Sequence, residues 1–169
     1  RVTFDTANEA FPIWSLDGAR IVFRSLRAGP GLYQKLASLA GTEELVMTNS
    51  RTAGSMSFSA GGRFLLYQVN DPQSDADLWV VPMAGDRTPS IVLKTPFREA
   101  WGAFSPNGQW IAYQSNETGR MEVYVRPFVP PGAAATSTGA DLGQSQVSAA
   151  GGVFPVWRHD GKELYYLNP

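Results

Sequence analysis

Cysteine is missing from the 169 residues, which excludes disulfide frameworks and thiolate zinc sites and leaves reducing and oxidising compartments equally open. Histidine occurs once, as His159 beside an Asp-Gly turn, so the base of a Ser-His-Asp arrangement would have to sit at an exposed hairpin tip. No nucleophile-elbow string accompanies it, and a metal-dependent propeller lyase would need more channel-facing histidine than one. Charge of one sign is not in excess either: 14 Lys plus Arg stand against 15 Asp plus Glu, so no global field points to nucleic acid or to an anionic membrane. No run approaches 18 consecutive apolar residues, which argues against direct membrane insertion. The start at Arg1, without a Met or an apolar leader, reads as a piece of a longer protein.

What is present is a repeat. FPIWSLDGARIVF from Phe11, SMSFSAGGRFLLY from Ser55, WGAFSPNGQWIAY from Trp101 and FPVWRHDGKELYY from Phe154 align without gaps. Their turn glycines, Gly18, Gly62, Gly108 and Gly161, are spaced by 62 − 18 = 44, 108 − 62 = 46 and 161 − 108 = 53 residues, lengths that suit one propeller blade each. An aromatic stands four residues before each glycine (Trp14, Phe58, Phe104, Trp157) and another five after it (Phe23, Tyr67, Tyr113, Tyr166). The dipeptides Asp17-Gly18, Gly61-Gly62, Asn107-Gly108 and Asp160-Gly161 predict type I′ hairpin turns. The apolar-dense runs after them predict strands covered on both faces, as stacked blades are.

A third strand is expected at Gly31–Gln34, Asp77–Val81 and Glu122–Val125, and a fourth at Glu44–Met47, Ser90–Leu93 and Ser145–Ser148. The fold class is therefore all-β, a partial β-propeller of three complete four-stranded blades plus parts of others. Its expected divisions are an outer strand of a preceding blade at 1–5, blades at 9–50, 51–96 and 97–149, and two strands of a further blade at 150–169. Strand 1–4 is alternatively placed against the final hairpin, closing a small ring. Asn70–Ala76 is expected as a loop in which Pro72 forbids ladder pairing, and Val129–Gln144, rich in Pro, Gly, Ala, Ser and Thr, as a mobile surface loop.

The string P-x-W-S-x-D-G from Pro12, with the apolar run and aromatic strand that follow, resembles the WD-like propeller repeat of the TolB family. LWVVPMAGDRTPSIVLKTPFREAWGAFSPNGQWIAYQSNETGRMEVYVRPF and VFPVWRHDGKELYYL are similar to propellers attached to bacterial serine/threonine protein kinases. That resemblance implies a sensor or docking domain with an extracytoplasmic placement. It carries over no kinase residue, because neither a Gly-rich phosphate loop nor an HRD string is present.

Candidate sites follow from the repeat. The starts of the innermost strands ring the mouth of a propeller channel, which selects Glu9, Phe11, Arg51, Ser55, Glu99, Trp101 and Phe154 as a mixed charged and aromatic binding rim. Asp71, Asp75 and Asp77 fit no calcium loop and read as a solvated turn, and Trp14, Phe58, Phe104 and Trp157 as packing between blades. The expected function is non-catalytic binding of a protein or peptide partner, or of a small ligand, without cofactor or metal. The alternative is the propeller of a prolyl-oligopeptidase-like serine peptidase. Open ends predict self-association that completes the ring.

Overall fold

The computed structural model describes residues 2–48, 51–133 and 143–169, with Thr52, Ala53 and Ser55 described by backbone alone. Three four-stranded antiparallel sheets follow one another along the chain. The first holds β1 (Glu9–Trp14), β2 (Arg20–Ser25), β3 (Gly31–Leu36) and β4 (Glu44–Thr48). The second holds β5 (Thr52–Phe58), β6 (Phe64–Asp71), β7 (Asp75–Pro82) and β8 (Ser90–Leu93). The third holds β9 (Glu99–Phe104), β10 (Trp110–Ser115), β11 (Glu122–Pro127) and β12 (Ser145–Gln146), and β13 (Val153–Trp157) pairs with β14 (Leu164–Leu167) in a two-stranded hairpin. Each sheet is a meander in chain order, and the first strands β1, β5, β9 and β13 adjoin in sequence, which is the radial stacking of blades in a propeller.

The apolar columns of the repeat divide between two blade faces. Leu65 and Tyr67 of the second blade pack back onto Val22, Leu32, Val46 and Met47 of the first, with Phe58 at the edge. Leu66, Leu78 and Val80 pack forward onto Phe104, Ile111, Tyr113 and Tyr124 of the third. Adjacent residues of β6 therefore serve opposite neighbours, which is why the strands lack an apolar-polar alternation. A fully buried leucine of this kind is worth roughly 2 kcal/mol in transfer free energy.

Polar side chains tie the blades together. Glu122, fully buried at the start of β11, accepts from the Ser148 hydroxyl, from Arg120 Nε at 2.6 Å and from the Gly151 N–H at 3.0 and 3.1 Å. The Ser148 hydroxyl first, and Arg120 after it, hold this carboxyl below its usual range. Gly151 leads directly into β13, so the carboxylate fixes where the next blade begins. Asp77 occupies the same repeat position in β7. It accepts from Ser74 Oγ at 2.7 Å and stands 3.3 Å from Lys94 Nζ as an ion pair.

Several expectations need correcting. The turns at Asp17-Gly18, Asn107-Gly108 and Asp160-Gly161 are not type I′, which requires both central residues in left-handed conformation, whereas Gly61 and Gly62 both take it, at φ of 72° and 69°. Asp17, Asn107 and Asp160 keep negative φ while Gly18, Gly108 and Gly161 take 68°, 71° and 72°. A serine three residues before the glycine closes a longer loop: Ser15 Oγ accepts the Arg20 N–H at 2.9 Å and donates to Asp17 Oδ1 at 2.6 Å. Ser59 and Ser105 accept the Phe64 and Trp110 N–H groups in the same way, both at 3.0 Å. Asn70–Ala76 is not a loop throughout: the β6–β7 ladder reaches Asp71↔Asp75, and Pro72 sits in the tight turn beyond it. Residues 2–5 are in no strand of the described sheets, and Val2 packs against Ile21, Phe23 and Tyr33 of the first blade; a pairing with a preceding blade is not tested by these residues. They do not pair with the β13–β14 hairpin, which remains two-stranded. Of the loop expected at Val129–Gln144, residues 134–142 lie outside the described residues.

Candidate functional site

The first strand of a blade enters through a bulge. In β1 the register passes from Ala10↔Arg24 to Ile13↔Val22, so Phe11 and Pro12 together oppose the single residue Phe23. The same slip sets Trp101 and Gly102 against Tyr113 in β9, and Phe154 and Pro155 against Tyr166 in β13. Phe11, Trp101 and Phe154 take φ of 54°, 54° and 55°, the left-handed region that bulky side chains rarely occupy. Each such residue costs on the order of 1–2 kcal/mol, and strain of this kind gathers at binding and catalytic sites. Bulges also re-aim side chains. Here they turn three aromatics, far apart in sequence, toward one another: the Trp101 ring lies edge-on to Phe154 at 4.8 Å and to Phe11 at 6.3 Å between centroids.

These rings floor a cavity of ≈ 1180 Å³ whose wall includes Arg24, Arg51, Asn70, Asp75 and Arg98. Phe11, Trp101 and Phe154 remain 39%, 39% and 41% exposed, so the aromatic surface is neither core nor fully solvated. The Arg24 guanidinium lies 5.2 Å over the Phe11 ring, and Arg98 pairs with Asp75 at 3.0 Å. Gly54 lets the rings fit: a Cβ there would fall 2.5 Å from Phe11 Cγ. Gln114 Oε1 accepts the Phe154 N–H at 3.0 Å, so a side chain from one blade holds the strained residue of the next.

Of the seven residues selected from sequence, Phe11, Arg51, Trp101 and Phe154 line the cavity. Ser55 lies on β5 at the matching repeat position, and its side chain is outside the described ones. Glu9 and Glu99 do not line it. Glu9 is drawn into a cluster, accepting from Thr3 Oγ1 and pairing with Arg27, whose guanidinium lies 4.4 Å over the Tyr33 ring. Glu99 is 1% exposed and accepts from the Thr95 hydroxyl and, at 3.3 Å, the Thr95 N–H. Burial, chiefly, pushes its carboxyl up to about 7. Regular alternation would set Glu9 and Glu99 on the same side as Phe11 and Trp101 two residues later; the bulge and left-handed φ at the aromatics break that alternation and leave the glutamates behind the strand entrances.

Sequence reading missed Arg24, Gln68 and Gln114, the polar column immediately after the aromatic of the second strand. Its signal, Phe-Arg, Tyr-Gln and Tyr-Gln in successive repeats, is visible in the alignment. His159 is exposed at its hairpin, and Asp71 and Asp75 are engaged by Lys94 at 2.6 Å and Arg98 at 3.0 Å. Trp157 packs against the preceding blade, its Nε1–H donating to the Ala103 carbonyl at 3.1 Å.

No family model matches the sequence, and no curated protein does. Among solved structures the chain is similar to TolB from Acinetobacter baumannii, with a TM-score of 0.77 and 16% identity, over 98% of this chain and 39% of that one. A putative TolB from Agrobacterium tumefaciens gives 0.73 and 20% identity over 95% and 53%. A puromycin-hydrolyzing peptidase from Mycobacterium tuberculosis gives 0.64 and 14% over 95% and 28%. The fold is thus a β-propeller of the kind seen in TolB, and the chain spans less than two thirds of the length of each of these proteins.

Proposed function

We propose that this chain is a non-catalytic binding propeller whose aromatic funnel takes a segment of a protein or peptide partner. The observation that carries the reading is the set of three half-exposed aromatics, each held at a left-handed bulge and facing one cavity with arginines in its wall. Aromatic and Arg side chains are the types that dominate interface energetics. The volume, ≈ 1180 Å³, exceeds the range typical of small-molecule sites and favours a polypeptide segment over a small ligand. Chemistry is assigned to no residue of the funnel. A sensor role within a larger bacterial signalling protein, outside the cytoplasm and linked to a kinase, rests on the sequence resemblance.

The test is to pan a display library of short linear peptides on the chain and measure each binder against Trp101→Ala. Trp110→Ala, at an exposed aromatic outside the funnel, is the control. Truncating Trp101 is expected to weaken binding at least about tenfold, while the control leaves it unchanged. Binders indifferent to Trp101 would refute the reading. The likeness to a peptidase favours a second reading, a propeller that gates access to a hydrolase domain. A G-x-S-x-G nucleophile elbow in the same polypeptide would decide for it.

A further inference from the structure

The repeat serves as its own control for the polar residue six places after each turn glycine. In the third blade that residue is Gln114, whose Oε1 accepts the Phe154 N–H of the next inner strand at 3.0 Å. The second blade has Gln68 there, buried, with its Nε2 donating to Asn70 Oδ1 at 3.2 Å. The first blade has Arg24, and a guanidinium carries donors alone, so it cannot accept a main-chain N–H as Gln114 does. Arg24 shares the strand face that carries Val22 onto the second blade, so it stands between two complete blades, and it lines the funnel. The Phe11 ring lies 5.2 Å below its guanidinium and is itself seated over Gly54. Among the described residues Arg24 Nη2 reaches Asn8 Oδ1 at 3.4 Å, and its Nε–H is buried without a hydrogen-bond partner. The carboxylates of β1 and of the funnel wall are engaged elsewhere: Glu9 pairs with Arg27, Asp71 with Lys94 at 2.6 Å and Asp75 with Arg98 at 3.0 Å.

The wall of the funnel thus holds three arginines, Arg24, Arg51 and Arg98, against two aspartates that are already paired, in a chain of net charge −1. A partly buried arginine stacked on an aromatic ring is pre-organised for a carboxylate, which the planar guanidinium grips through two parallel hydrogen bonds. We propose that Arg24 takes an Asp or Glu side chain of the bound segment, so that the funnel selects acidic peptides carrying an apolar anchor. This rests on the peptide-binding reading of the funnel and adds the charge of the partner. An anchor over Trp101 and an acid at Arg24 are separated by Phe11, 6.3 Å from Trp101 and 5.2 Å from the guanidinium. An extended segment covers that span in about three residues.

The probes are the peptides panned from the display library, synthesised with blocked termini so that side chains alone bring carboxylates. Each is measured beside a copy in which Asp and Glu become Asn and Gln, on the wild-type chain and on Arg24→Gln. That variant writes into the first repeat the residue the second and third carry, so its urea midpoint is expected to match the wild type. Peptides that depend on Trp101 are expected to hold an acid within about three positions of an apolar residue. Acid exchange and Arg24→Gln should each weaken them at least about tenfold, and the two together no further, the coupling that a direct pair gives. Exchange on the peptide leaves the protein untouched, so its effect is independent of folding. Trp101-dependent binders that lack acids, or that bind equally after exchange, overturn the proposal and leave the funnel reading standing. Acid-dependent binders indifferent to Arg24→Gln overturn it as well. Binders indifferent to Trp101, or no binders at all, sink the funnel reading and this proposal with it.

Discussion

Replacing Glu99 by Gln isolates the energetic cost of the buried carboxyl behind the funnel. Burial raises it from an ordinary value near 4.5 to about 7, against hydrogen bonds from Thr95 that lower it, with Asp77 and Glu117 adding like-charge repulsion. A raised carboxyl binds its proton more tightly in the folded state, so between these values folded protein holds more protons than unfolded and stability falls as pH rises. The contribution is complete below about 4.5 and lost above about 7. The shift corresponds to about 3 kcal/mol at 1.36 kcal/mol per unit. Screening by nearby water reduces the measurable part to roughly 2 kcal/mol. The carboxyls held low, Asp17, Glu43, Asp71, Glu122 and Glu163, lose their stabilisation only as pH falls through still lower values, so they leave the window from 5 to 8 to Glu99. Urea unfolding at intervals across that window is expected to show wild-type stability declining and the Gln variant flat. The variant should be the more stable at pH 8, by about 4–8 °C in Tm for a chain of this size. Parallel profiles for the two proteins would refute the assignment of Glu99 as a buried, proton-holding group.

Leu66→Ala removes a fully buried side chain between the second and third blades and is expected to cost about 2–5 kcal/mol in denaturant unfolding. Gln114→Ala withdraws the acceptor from the Phe154 N–H, with an expected loss of about 1 kcal/mol and faster amide exchange at Phe154. Gly54→Ala drives a methyl into the Phe11 ring and is expected to shift Phe11 and Trp101 ring resonances and to weaken any ligand of the funnel. Phe154→Asn places a residue tolerant of left-handed φ at 55°, recovering about 1 kcal/mol of strain while removing the ring contact to Trp101. Peptide binding should fall even where stability does not.

The blades were legible because their determinants are local and repeated. Four aligned copies carry the turn glycine, the flanking aromatics and the apolar second strand, and each of these places a side chain at a fixed site in a sheet. The hairpin geometry was misread at the same spot: Asp17-Gly18 satisfies a two-residue turn in isolation, and only the Ser15 hydroxyl, bonding across to Arg20, shows that the loop is longer. The funnel was half legible. Strand starts marked Phe11, Trp101 and Phe154, but the bulge that turns Glu9 and Glu99 away from them is a one-residue slip in pairing, and nothing in the residue types announces it. Arg24 and Arg98 escaped because they reach the cavity from a second strand and from the segment between blades, a proximity that exists only once the sheets are stacked.

The most direct measurement is a NOESY experiment on protein with selectively labelled tryptophan and phenylalanine rings. Cross-peaks from the Trp101 indole to both the Phe154 and Phe11 rings, which stand at 4.8 and 6.3 Å between centroids, are expected in the free chain. Their absence, with the Trp101 ring reporting only neighbours from its own sheet, would contradict the convergence of separate repeats on one funnel.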